Sequence, residues 1–369
     1  MTTARRAQRA VLPCPRMRPA RFDFRACLSV LSCLVCVSSG CASGKSAQPA
    51  VATPAAAPAL APVPRDPVEL VVGAPDSVVL ARASELRAAP LFERLRPYVE
   101  RATCASLSEW DGLVRATSRA VLASRTEGQS AQWLLVLDGS YTEADADRLL
   151  RAAAQRTPRT APAAPISVDR SGRFAISEDD VLASSLLEGR LLVLGHKPWM
   201  RAALDAIAHP AAKLGDLALW KSVAPEVRCA EQALCLLAAA QGAGARSLQR
   251  GLSSAGAKGL GQQLSAADSA LTVSLPSGAE ITFHAQLPDA AAADAAQRGL
   301  KDNLWQVGLL TRLAGLPDVL SAAKIDVRGA ALHGELSVSE TDLVRYEQRA
   351  GQLLSEAARQ DCGVATAAP

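Results

Sequence analysis

Metal binding and covalent catalysis need particular side chains at particular spacings, and this chain offers few of them. Its four histidines, His196, His209, His284 and His333, are scattered, and no two stand four apart, the spacing that sets two imidazoles on one helix face. His196 beside Lys197 reads as the opening of a helix. His284 and His333 fall in equivalent strand-like runs; solvent-facing positions are expected, with a meeting across an internal symmetry axis as the alternative. The triplet Glu178-Asp179-Asp180 lacks the alternating loop pattern of calcium sites and reads as a solvated turn. Gly242-Ala243-Gly244-Ala245-Arg246-Ser247 sits between an apolar run and a helical one, the context of a dinucleotide-binding turn. Ser247 replaces the third glycine, however, and Asp268 opens a hairpin where a ribose-binding acid would close a parallel strand, so a plain strand–helix turn is predicted. No Gly-x-Ser-x-Gly elbow occurs; Gly251 to Gly256 misses the spacing. The expectation is a protein without catalytic residues, resident metal or cofactor.

The cysteines say more. Beyond residue 40 they are Cys41, Cys104, Cys229, Cys235 and Cys362. Setting Cys41 aside leaves an even number, which in an oxidising compartment favours disulfides. Cys229 and Cys235 flank five residues and are able to close a small loop, leaving Cys104 for Cys362; spacing alone leaves three pairings open. None forms Cys-x-x-Cys, the arrangement expected of a redox or zinc site.

Cys41 stands after seven arginines in residues 1–25 and an apolar run over 26–40. Fifteen residues fall short of the ~20 that span a bilayer as a helix, but suit the apolar core of a secretion signal. Met17 would give that signal an ordinary length if it is the start. The sequence Val37-Ser38-Ser39-Gly40-Cys41 resembles the lipobox of bacterial lipoprotein signal peptides: Ser39, Gly40 and Cys41 match, while Ser38 stands where Leu is usual. The resemblance implies cleavage before Cys41, acyl chains on its sulfur and amine, and, with Ala42 next, an outer-membrane address. Two or three chains at ~0.8 kcal/mol per buried CH₂ hold a protein stably. Gly40 to Ser46 ends like a phosphate-binding loop but has three residues between its glycines instead of four.

Charge supports this division. Residues 1–40 hold seven of the 40 basic and one of the 36 acidic side chains, so the remainder carries 33 against 35, a formal charge of −2. That balance excludes nucleic-acid binding, which needs a basic face. Aromatics at 4% leave little for stacking on bases or sugars.

The elements behind these residues follow from period and punctuation. Residues 42–66 are rich in Ala and Pro and read as an extended spacer; 157–165 reads as a Pro/Ala loop. Hairpins are predicted over 119–137, 181–194, 269–286 and 324–338, turning at Glu127-Gly128, Glu188-Gly189, Ser277-Gly278 and Arg328-Gly329. Helices follow each, opened by Thr142, Pro198, Asp289 and Ser339, with capping boxes at Thr142/Asp145 and Ser339/Asp342. Extra strands at 77–82 and 233–239 precede each pair. The expectation is an α+β fold of two related halves, each an antiparallel sheet of hairpins with helices on one face. The predicted divisions are 1–40 signal, 41–66 lipid-attachment cysteine and linker, 67–212 first half, 213–358 second half and 359–369 tail. This layout also resembles lipid-anchored bacterial envelope proteins with a duplicated α+β domain. Function is expected to be a non-catalytic binding or structural role at the cell envelope, with the membrane and an envelope protein as partners; the alternative is a carrier for an apolar ligand.

Overall fold

Gln132-Trp-Leu-Leu-Val-Leu137 and Leu191–Leu194 are apolar at almost every position, which a strand tolerates only when both of its faces are covered. The computed structural model describes residues 63–348 apart from 91, 95, 97–109, 128–129, 157–167, 172–173, 178–180, 209–212, 243, 247–248, 251–257, 276 and 314–316. Cys41, Cys104, Cys362, His209, the Glu178–Asp180 triplet and the Pro/Ala loop lie outside the described residues.

Among the described residues, twelve strands pair into one antiparallel sheet. From the first part of the chain come β1 (Ser77–Ala81), β2 (Thr117–Glu127), β3 (Ser130–Gly139), β4 (Val168–Ser171), β5 (Phe174–Ser177), β6 (Leu182–Leu187) and β7 (Leu191–His196). The second part adds β8 (Leu234–Ala238), β9 (Asp268–Ser274), β10 (Gly278–Gln286), β11 (Lys324–Arg328) and β12 (Ala331–Ser339). The order is β11-β12-β10-β9-β8-β1-β2-β3-β7-β6-β5-β4. β1 is the joint: Val79 stands opposite Leu122 of β2 on one side and Leu236 of β8 on the other. The expected pair of separate sheets is therefore corrected to one. The four predicted hairpins are present as β2/β3, β6/β7, β9/β10 and β11/β12. At the β6/β7 turn, Glu188 (φ 52°) and Gly189 (φ 65°) both take the left-handed conformation that a tight two-residue hairpin turn demands.

Helices cover both faces of the sheet over β2, β3, β6 and β7, a second correction to the one-face expectation. Alternation along each strand decides which residue goes where. Val121, Ala123, Leu134, Val136, Leu191 and Val193 face Trp199, Met200 and Ala203 of α4 (Lys197–Ala208). Ala120, Trp133, Leu137, Leu192 and Leu194 face the opposite way, onto Ala146, Leu150 and Ala154 of α3 (Glu143–Arg156). On this side also lie α1 (Ala83–Ala88), through Leu86, and α2 (Asp111–Ala116), through Leu113. α3 opens as its sequence predicts: Asp145 accepts from the Thr142 N–H at 2.8 Å and hydroxyl at 2.7 Å, and Thr142 Oγ1 accepts from Asp145 N at 3.3 Å.

The second part is built differently. α6 (Lys258–Ser265) and α7 (Ala290–Leu313) pack Leu260, Leu264, Ala293 and Ala296 onto Ala285, Ile325 and Leu332. The other face of β10–β12 carries Thr282, His284, His333 and Glu335, with α5 (Ala218–Val223) approaching it over β8, β9 and β10.

Gly195 marks a close approach between two strands of the doubly covered region. A Cβ there would lie 2.5 Å from the Trp133 carbonyl oxygen and 3.0 Å from Leu134 Cα, both backbone atoms of β3. Gly195→Ala is expected to cost about 1–3 kcal/mol by forcing the β3–β7 ladder apart. Urea unfolding reads this directly, and an unmoved midpoint would contradict it.

Candidate functional site

Strand register, which sequence spacing does not reveal, brings two histidines together. His284 of β10 is directly opposite His333 of β12. The rings meet edge-on, centroids 4.5 Å apart, with Nδ1 to Nδ1 at 3.4 Å. The pair lies on adjacent strands of the sheet, and the two rings meet across one ladder. His284 is 2% exposed, so its expected solvent-facing position is corrected; Thr272 beside it on the same face is equally buried. Burial and the neighbouring His333 both hold the His284 imidazole below its usual pKa, opposed by the charge of Glu226. Its Nε2 has no hydrogen-bond partner among the described residues. A sealed polar atom without a partner costs about 1–3 kcal/mol.

Glu226 completes the cluster. One ligand-type atom from each of Glu226, His284 and His333 lies within 4.8 Å of the others. Its backbone is held from both sides: Val223 and Ala224 before it and Val227 after it are buried, while its own side chain is exposed. The Arg228 N–H donates to the Pro225 carbonyl at 3.1 Å and the Cys229 N–H to that of Ala224 at 3.0 Å, closing a tight turn. Arg228 takes the left-handed conformation at its end (φ 49°). Cys229 is then joined to Cys235 of β8 by a disulfide, with Cα atoms 5.4 Å apart. Sequence reasoning missed Glu226; its only signal was its position three residues before a cysteine suited to a short loop. Three ligands of this kind, one reaching solvent, are able to hold a divalent ion with a coordination position left open.

The other sequence candidates separate. Gly242 and Gly244 lie where a Cβ would approach the Asp76 carbonyl oxygen at 2.8 Å and Ser77 Cβ at 3.0 Å, so they seat the turn against β1. β8 before that turn has antiparallel neighbours on both sides, unlike a dinucleotide-binding strand. His196 follows Gly195 at the end of β7, where its Nδ1 accepts the Trp133 N–H at 3.1 Å.

A second polar cluster gathers around the backbone of residues 64 and 65. Asp138, 7% exposed, accepts from Arg119 Nη2 at 2.8 Å and Nε at 3.0 Å. Arg119 and Arg190 also donate to the backbone carbonyl of Arg65, at 3.0 Å and 3.3 Å, and Arg190 to that of Pro64. The adjoining cleft of about 390 Å³ is lined by Val63, Arg65, Glu69, Leu70, Ala206 and Lys213. Its charged rim differs from the dry apolar cavity that an acyl-chain carrier requires.

No family description and no curated protein matches the sequence. Among solved structures, crystal forms III, I and IV of TP0453 are similar, each at 16% identity. Their TM-scores are 0.46, 0.45 and 0.44, over 78%, 78% and 79% of this chain and 98%, 97% and 96% of that one.

Acid sensitivity follows from His196. Burial holds its imidazole below the usual 6.5, and the Trp133 N–H requires an unprotonated Nδ1. The unfolded chain takes up the proton first, so stability is full above about pH 6.5 and falls as pH drops toward the depressed folded value. Thermal midpoints should drop between about pH 7.5 and about pH 5.5, and drop less in His196→Gln, whose amide oxygen accepts without titrating. Equal drops in both proteins would assign the sensitivity elsewhere.

Proposed function

We propose that the chain is a lipid-anchored protein of the bacterial cell envelope with a non-catalytic binding or structural role. The observation that carries this reading is the order of segments around Cys41: an arginine-rich start, the mainly apolar run over 26–40 that ends in Ser39-Gly40, then Cys41 and an Ala/Pro spacer. The Cys229–Cys235 disulfide fits an oxidising compartment outside the cytoplasm.

The described residues add a mechanical reason. A tether pulls on the point where it enters the fold, and here that point is gripped by a strand side chain and a turn side chain. Arg119 of β2 and Arg190, just before β7, hold the carbonyls of residues 64 and 65, and both pair with Asp138 of β3. Load from an anchor at Cys41 would enter the doubly covered part of the sheet. Downstream, Trp199 Nε1 donates to the Val72 carbonyl at 3.0 Å in the core, fixing the incoming segment again.

The reading includes a tandem duplication. Outward from the β1–β8 joint, β1-β2-β3-β7-β6 and β8-β9-β10-β12-β11 run in matching order, each a lone strand followed by a hairpin and then a second hairpin entered by its later strand. Such a correspondence supports two copies fused at their first strands, with β4 and β5 added at one edge.

Expression of the full chain in a bacterial host with radiolabelled fatty acid tests the anchor. The wild type should carry label and fractionate with membranes, and Cys41→Ala should lose label and appear in the soluble envelope fraction. A native protein whose mass shows no acyl groups would overturn the proposal.

A further inference from the structure

We propose that Glu226, His284 and His333 form a binding site for one divalent transition-metal ion of the zinc class. Two imidazoles and a carboxylate are the ligand types that such ions take, with water filling the remaining position.

The geometry fits before any ion is considered. Ligand nitrogens about 2.0–2.1 Å from a tetrahedral zinc ion stand roughly 3.4 Å apart, and the two Nδ1 atoms are separated by 3.4 Å. As a hydrogen bond the same distance is long, and only one of the two nitrogens is able to carry the proton. An ion between the rings would use both lone pairs. The carboxylate needs to close from within 4.8 Å to coordination distance, and its side chain is exposed and free to swing.

The three ligands are also supported as ligands should be. His284 and His333 sit on directly paired strands, each with a neighbour on its other side, which fixes their separation through the ladder. Glu226 rides on a turn closed by two backbone hydrogen bonds and stapled to β8 by the disulfide at Cys229. Asp326 of β11 is directly opposite His333 on its other side. Glu335, two residues beyond His333 on the same face, adds negative charge that favours a cation.

Full-length protein, stripped with chelator and dialysed against zinc, tests this by elemental analysis together with calorimetric titration. Cobalt substitution adds a visible spectrum that reports nitrogen and oxygen ligands. One zinc per chain is expected, with affinity reduced at least about tenfold in Glu226→Gln and in His333→Gln. His196→Gln should bind as the wild type does. Because His284 is buried, its replacement risks misfolding; the two more accessible ligands therefore carry the test, with circular dichroism confirming their fold. Absence of zinc binding by the folded wild type would overturn the site. So would binding that both substitutions leave unchanged, which would place the ion elsewhere on the chain.

Discussion

Five residues, Ser77–Ala81, hold this structure together. β1 pairs along its whole length with β2 on one side and β8 on the other, and without it the sheet would present two long unpaired edges. Its position is secured at several points. Val78 is fully buried, Leu80 packs against the same core, and Ser77 Oγ shares a 2.6 Å hydrogen bond with Ser124 of β2. The Asp76 carbonyl accepts from Ala239 N at 2.9 Å, extending the contact with β8 past the end of the ladder. Leu80 is opposite Cys235, so the disulfide braces the strand next to the joint.

Differences in cover explain why chemistry concentrates in one part of the sheet. β3 and β7 are packed on both faces by apolar side chains over their middles, which leaves polar groups such as Asp138 and His196 at their ends. Over β10 and β12 only one face is sealed by the long α7, and the other keeps histidines, threonines and acids. α5 and the disulfide-closed turn reach partway across that polar face and deliver Glu226 beside the buried His284. The buried ring of His284 is tolerated there because Thr272 and Thr282, rather than leucines, occupy the next row.

Local features were legible in the sequence, long-range ones were not. The four predicted hairpins announced themselves through glycine at a turn, and Glu188-Gly189 adopts the positive φ values that such a turn requires. The caps at Thr142, Asp289 and Ser339 appear as hydrogen bonds at those positions. The continuous apolar run Trp133–Leu137 already implied burial on both faces, a consequence the one-face expectation overlooked. The β4/β5 hairpin was missed because its strands are four residues each, although Ser171-Gly172 was an available turn signal. The union of β1 with β8 was hidden for a different reason. Residues 77–81 and 234–238 are separated by more than a hundred positions, and nothing in either run names its partner. His284 and His333 were recognised as equivalent positions, but their contact depends on register, and Glu226 reaches them on the hydrogen-bonded turn that runs into Cys229.

Native-state hydrogen exchange resolved by residue tests most directly whether β1 makes one cooperative unit of the whole sheet. Amides of β1 and β8 should exchange only through global unfolding, with the same free energy as those of β3 and β10. A lower, shared opening free energy for β8 to β12, leaving β2, β3, β6 and β7 protected, would mean two independent halves and would contradict the account.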